Sequence, residues 1–191
     1  MLQSKIKKRN ENVTLRMMKK IFLPSVSDKI PFYKMAYDYG KTDDKRYYKE
    51  IMKAEFDFES YVKELHNYAN GIVLPKERIP YTTFWLMDDT HETIHAVGRL
   101  RYLLNSQSRK EGGHISYDVP PALRGIGNAT ELLRQMILKA SEAGIMRVLV
   151  TCDSDNLASA AVIMKNGGKL ENQVISDFSF KLVNRYWIYA S

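Results

Sequence analysis

Residues 119 to 129 read V-P-P-A-L-R-G-I-G-N-A, and this stretch decides the fold. It sets a strand end, a glycine-containing turn and a helix start in immediate succession. Backbone N–H groups at a helix N-terminus have no intrahelical partners, and the helix dipole adds a partial positive charge there. Glycines let a ligand's oxygens approach the main chain. The stretch therefore reads as an anion cradle suited to a pyrophosphate. It lacks the G-K-[ST] of a P-loop and, lying well inside the chain, the full G-x-G-x-x-G of a dinucleotide fold.

Working outward, H-I-S-Y-D-V (114 to 119) reads as the strand that feeds the cradle. The helix that leaves it carries Leu132, Leu133, Met136, Ile137 and Ala140 on one face and is stopped by Gly144. R-V-L-V-T-C (147 to 152) is a near-continuous apolar run, the pattern of a strand covered on both faces. N-L-A-S-A-A-V-I-M-K-N (156 to 166) reads as a helix with Asp155 or Asn156 as N-cap, ending at Gly167-Gly168. K-L-E-N-Q-V-I and R-Y-W-I-Y close the chain as strands.

Upstream, Y-T-T-F-W-L-M (81 to 87) and A-V-G-R-L-R-Y-L-L (96 to 104) form a hairpin around a polar turn at Asp88 to Thr90. A Ser-, Gln-, Lys- and Gly-containing loop leads from it to the cradle strand. Residues 28 to 70 have helical apolar spacing broken near Gly40, which predicts two or three helices. Pro75 and Pro80 make 71 to 80 a loop, and V-T-L-R-M-M (13 to 18) reads as a short strand. These elements predict an α/β (α+β) domain with a mixed sheet at residues 13 to 191, preceded by a basic tail at 1 to 12.

The pattern V-x-P-x-x-R-G-x-G-x-A closely resembles the acetyl-CoA loop of the GNAT acetyltransferases, through Val119, Pro121, Arg124, Gly125, Gly127 and Ala129. R-V-L-V-T-C-D and N-L-A-S-A-A-V-I-M-K-N-G-G resemble the family's fifth strand and fourth helix. I-P-Y-T-T-F-W-L, V-G-R-L-R-Y-L-L and G-G-H-I-S-Y-D-V are similar to a bacterial branch of the superfamily, so the resemblance covers roughly residues 13 to 190. It implies a mostly antiparallel sheet with splayed fourth and fifth strands and helices on both faces. The implied reaction is acetyl transfer from acetyl-CoA to an amine, without a metal.

The resemblance also implies which residues hold the cofactor. Pantetheine would pair with the fourth strand near Tyr117 and Val119, and pyrophosphate would sit on the amides of Arg124, Gly125, Ile126, Gly127, Asn128 and Ala129. Asn156 and Ser159 would line the other side. Two departures from the family pattern stand out: Ile163 occupies the place of the helix tyrosine that protonates the leaving thiolate, and the fourth-strand glutamate is absent. His114 is the candidate base because imidazole titrates near neutrality, and Tyr117 the candidate acid. Asp118 is a third titratable group on the strand. Strand alternation sets His114, Ser116 and Asp118 on one face and Tyr117 on the other.

Two other functional readings compete with the transferase. A GNAT fold lacking the family tyrosine and glutamate could bind acyl-CoA as a sensor or interaction module. His91, Glu92 and His95 match H-E-x-x-H, the zinc metallopeptidase signature, which needs a helix to bring two histidines onto one metal. Here the motif falls in a hairpin turn, where a strand would separate the histidines by roughly 13 Å.

The charge balance is consistent with a cytoplasmic enzyme. Of the net charge of +7, +6 comes from residues 1 to 20, which hold five Lys and two Arg against one Glu. The body is nearly neutral, which argues against nucleic acid as the main partner. No apolar run reaches the roughly 20 residues of a membrane span, and the N-terminus lacks the features of a secretory signal. The single cysteine, Cys152, excludes an internal disulfide framework and suits a reducing compartment. The expected partner is an amine-bearing small molecule or protein, and the strand edges and aromatic C-terminus permit a homodimer.

Overall fold

The computed structural model describes residues 18–42, 44, 47–72 and 78–190. The basic tail at 1 to 12 and the strand expected at 13 to 18 lie outside these residues, except for Met18, which is in no strand. The described fold starts with β1 (Lys20–Phe22).

Three helices follow: α1 (Lys29–Gly40), α2 (Tyr48–Phe56) and α3 (Phe58–Ala69). A turn at Val26–Asp28 leads into α1, where the Ser27 N–H donates to Ser25 Oγ and the Ser25 N–H donates to Asp28 Oδ2. The two bonds satisfy donors that a helix entrance leaves open. Asp57 does the same for α3, accepting from the Ser60 N–H at 3.1 Å. α1 buries Phe32, Met35, Ala36 and Tyr39, the spacing of one helical face.

The remaining elements are β2 (Thr82–Met87), β3 (Ile94–Leu100), β4 (Ile115–Asp118), α4 (Asn128–Glu142), β5 (Arg147–Asp153), α5 (Leu157–Lys165), β6 (Lys169–Ile175) and β7 (Leu182–Tyr189). They build a seven-stranded sheet of order β1-β2-β3-β4-β5-β7-β6. Every neighbouring pair is antiparallel except β4 and β5, which are parallel and share one register pair, Ile115 with Val150. Past that pair the two strands part, and the sheet has a gap.

Each face of the sheet carries its own core. Phe84, Leu86, Ala96, Leu100, Val148, Val150 and Tyr186 pack beneath α4 and α5. Trp85, Met87, Ile94 and Val97 pack beneath α1, α2 and α3. Alternation along β2 and β3 thus sends side chains to opposite layers, and both layers exclude water. At Gly98 an added Cβ would stand 2.1 Å from Met136 Sδ, so the glycine lets α4 lie close on β3.

The expected strand at 96 to 104 begins at Ile94 and stops at Leu100. The chain leaves the sheet there to cross over β5, passing through a helical turn at Ser108–Gly112. Thr151 Oγ1 donates to the Glu111 carbonyl at 2.9 Å and holds the crossing in place. Gly113 ends it with φ 64°, where a Cβ would lie 2.6 Å from the Leu149 carbonyl oxygen. A side chain would fit there in neither space nor conformation.

Candidate active site

The cradle forms where the sequence reading puts it. After β4, Pro121–Leu123 make one tight turn, Gly125 and Gly127 take φ of 78° and 92°, and α4 begins at Asn128. Both glycines face open space at the Cβ position, so backbone conformation, and not crowding, requires them. Among the described residues the N–H groups of Gly125, Ile126, Gly127, Asn128 and Ala129 have no hydrogen-bond acceptor. Five open donors at the start of a fifteen-residue helix suit a pyrophosphate.

Arg124 contributes differently from its neighbours. Its own N–H reaches the Pro121 carbonyl at 3.4 Å. Its side chain donates from Nε to the Val119 carbonyl (3.0 Å) and pairs with Asp44 (3.1 Å), lying over the Tyr39 ring. The expected set of amides from 124 to 129 therefore narrows to 125 to 129, with Arg124 bracing the loop. The buried side chain of Asn128 also braces it, accepting from Lys19 Nζ (2.6 Å) and donating to the Leu123 carbonyl (3.0 Å).

Across the gap, Asn156 caps α5, its Oδ1 accepting from the Ser159 N–H at 3.0 Å. Tyr117 points toward this side, its hydroxyl 2.8 Å from Ser159 Oγ. Burial raises the Tyr117 hydroxyl to about 12, with the Ser159 bond pulling the other way. The group stays protonated throughout the neutral range and can donate, not accept, a proton. Cys152 lines the same cleft from β5; burial raises its thiol, while a bond from Ser159 opposes that shift. Ile163, at the family's tyrosine position, is fully buried.

Asp118 points to the opposite face, as alternation requires. It accepts from the Tyr47 hydroxyl and from Arg99, each at 3.0 Å. Burial alone would lower Arg99, but Tyr47 and Asp118 hold it above its ordinary value. No periodicity argument joins Tyr47 to this site, since it stands just before α2 and 71 residues from Asp118.

His114 occupies the closed end of the gap. Its Nδ1 accepts the Leu149 N–H at 2.8 Å, and its own N–H donates to the Leu149 carbonyl at 2.7 Å. Burial, then Arg109 and Arg101, push the imidazole down to about 4. With Nδ1 engaged, the neutral ring carries its proton on Nε2. The structure thus separates the two candidate catalytic groups: Tyr117 faces the cleft, and His114 ties β4 to β5.

The H-E-x-x-H motif is not helical. His91 sits in the turn with φ 57°, its Nδ1 3.4 Å from Asp28, while His95 lies in β3 with Nε2 3.2 Å from Asp88. Each histidine serves a different aspartate, which corrects the metallopeptidase alternative. Among the described residues no three His, Cys, Asp or Glu side chains are grouped to hold a metal ion. No described helix is long and apolar enough to cross a membrane.

A mixed sheet gapped between β4 and β5, with an amide cradle at the start of α4, is an architecture able to seat a pyrophosphate-bearing cofactor. Residues 35–169 match the family described as the Acetyltransferase (GNAT) domain. The chain belongs to the GNAT acetyltransferase family, whose acyl donor is acetyl-CoA. Solved structures agree in fold. RimJ from Mycobacterium smegmatis, in complex with CoA-disulfide, is 17% identical over 89% of this chain and 81% of its own, with a TM-score of 0.64. RimL, a ribosomal L7/L12 α-N-protein acetyltransferase with CoA disulfide-bonded to a cysteine, is 16% identical over 90% and 93%, with a TM-score of 0.62. YncA from Salmonella typhimurium, solved with its cofactor acetyl-CoA, is 14% identical over 91% and 94%, with a TM-score of 0.55. No functionally curated sequence matches the chain.

Proposed function

We propose that this chain transfers the acetyl group of acetyl-CoA to an acceptor amine by direct attack, with the cofactor seated between β4 and β5. The observation that carries this reading is the joint presence of open N–H donors at 125 to 129 and a β4 edge that loses its β5 partner after Ile115. Acetyl-CoA supplies the electrophilic thioester carbonyl and a thiolate leaving group. The amides of 125 to 129 bind the pyrophosphate, and the unpaired edge of β4 from Ser116 to Val119 orients the pantetheine. Asn156 holds the α5 end of the slot in shape through its cap.

The acceptor nitrogen forms the new C–N bond as the C–S bond breaks. Tyr117 donates its hydroxyl proton to the departing sulfur, and Ser159, hydrogen-bonded to it, relays a proton back from solvent. This assigns to a β4 residue the donor role that the missing helix tyrosine leaves open. His114 is a positioning residue in this reading, because its Nδ1 is already used by the main chain. The amine proton leaves to water, since an alkyl ammonium of pKa about 10.4 must be deprotonated before attack. Cys152 is a free thiol of β5 that interacts with Ser159, and so stands on the wall of this cleft.

The test is thermal denaturation with acetyl-CoA, followed by thiol release over a panel of amines. A ligand that binds the folded state raises its stability by mass action. We expect an upward shift that Gly125→Glu removes by setting a carboxylate among the amide donors. No shift at millimolar acetyl-CoA would refute the site. A shift without thiol release for any amine would favour the sensor reading.

A further inference from the structure

The start of β4 gathers hydrogen-bond donors that nothing in the transfer chemistry uses. Arg101 lies opposite His114 in the β3–β4 ladder, its N–H donating to the His114 carbonyl at 2.8 Å. Among the described residues its half-buried guanidinium reaches only the Gly112 and Gly113 carbonyls, both at a long 3.4 Å. Among the described residues no carboxylate pairs with Arg101 or with Arg109, whereas Arg99, two residues away, is paired with Asp118. Burial, then the neighbouring Arg99, pull the Arg101 guanidinium below its usual value. A cation held partly out of water without an anion is an unfavourable arrangement that a bound anion would relieve.

Two further donors share the place. The tautomer fixed at His114 by the Leu149 N–H leaves an Nε2–H, and both Arg101 and Arg109 act electrostatically on that ring. Trp187 has its ring centroid 6.4 Å from that of His114, and its buried Nε1–H has no hydrogen-bond partner among the described residues. Two arginines without a paired carboxylate among the described residues, beside two neutral N–H donors, are the composition of an oxyanion site.

This site is on the sheet face of Asp118 and Arg99, opposite the Tyr117 side. Tyr117 stands three positions beyond His114, roughly 10 Å along an extended strand. Resting on the proposed transferase reading, we propose that the acceptor bears a carboxylate within about 10 Å of its amine, and that Arg101, Arg109 and the Nε2–H of His114 bind it. The amine then lies toward the Asp118 end of β4 and the carboxylate toward its start, so the charge order along the strand sets the acceptor's direction.

The experiment compares ω-amino carboxylates from glycine to 8-aminooctanoate with the matching primary amides and aminoalkyl phosphonates, by thiol release from acetyl-CoA. We expect kcat/KM for the best carboxylate to exceed that of its amide at least tenfold. The ratio should fall toward one in Arg101→Gln and be partly restored in Arg101→Lys. A phosphonate preferred over the carboxylate would reassign the anion to phosphate and overturn the proposal. Equal rates for acid and amide, or a ratio unchanged in Arg101→Gln, would overturn it as well. Calorimetry of hexanoate with the CoA-loaded protein separates this site from the transferase reading. If every amine fails to release thiol, that reading falls, while hexanoate binding that Arg101→Gln abolishes still supports the anion site and its absence refutes it.

Discussion

Replacing Tyr117 with Phe removes one oxygen from the cleft and leaves the ring in place against the α4–α5 core. The stability cost is that of the 2.8 Å bond to Ser159, about 1 kcal/mol, because no cavity forms and the serine stays near solvent. The effect on chemistry is larger if Tyr117 is the proton donor. Loss of a positioned general acid lowers the rate by roughly 10²- to 10⁴-fold, or about 3 to 5 kcal/mol of barrier. Single-turnover thiol release isolates this step from product departure. The defect should be greatest near neutral pH and shrink above about pH 8.5, where an alkyl thiolate is itself the stable product. The wild type should show no alkaline loss from this group up to pH 10, since burial raises its hydroxyl to about 12. A Tyr117→Phe enzyme with an unchanged single-turnover rate at pH 7 would refute the assignment, as would a change confined to KM. Ser159→Ala should give a smaller defect than Tyr117→Phe.

His114→Asn keeps an acceptor for the Leu149 N–H but cannot titrate. A folded value near 4, below the usual 6.5, means that the unfolded chain binds more protons in that interval. The contribution to stability is complete above pH 6.5 and is lost as pH falls toward 4, so the variant's melting temperature should fall less between pH 7 and 4.5. An identical acid dependence in both proteins would remove the positioning role, and a folded variant whose kcat at saturating acceptor collapsed at pH 8, with KM unchanged, would restore His114 as the base. Cys152 offers a direct probe of the slot: incubation with CoA disulfide should produce one mixed disulfide per chain and one free CoA. Exchange should be slow, because burial raises the thiol. Intact-mass analysis should show no adduct in Cys152→Ser and protection by acetyl-CoA, and an adduct that acetyl-CoA does not block would place the cysteine outside the site.

The parts of this protein that were legible in the sequence are those encoded by local chemistry. The turn at 124 to 128 needs glycine because two positions take positive φ, and that requirement is visible in R-G-I-G itself. The helix faces follow from Leu132, Leu133, Met136 and Ile137, which meet the core as their spacing demands. Alternation along β4 correctly divided Tyr117 from Asp118. What the sequence did not disclose depends on partners brought from afar. Asp118 meets Tyr47 and Arg99 only after the helices fold onto the sheet, and Arg124 meets Asp44 across 80 residues. His114 looked like a base because its ordinary pKa is near neutral, but its role depends on a main-chain N–H of β5 that no local pattern announces. The strand end at Leu100 was missed for a related reason. The run to Leu104 is apolar enough to continue, yet the chain has to leave the sheet to pass over β5.

The core beneath α4 and α5 contains residues from both halves of the divided sheet, from Phe84 and Leu100 on one side to Val148 and Ile188 on the other. α4 therefore works as a splint across a crack. The gap between β4 and β5 is kept from closing into a regular parallel pair, and from opening further, by the same buried side chains that keep the protein folded. A cofactor that enters such a slot finds its width already set and has little chain to order, so its binding energy is available for holding the thioester in place. A substitution in that shared core far from the cleft, such as Ile137→Ala, thus alters the spacing of the slot as well as the stability of the fold.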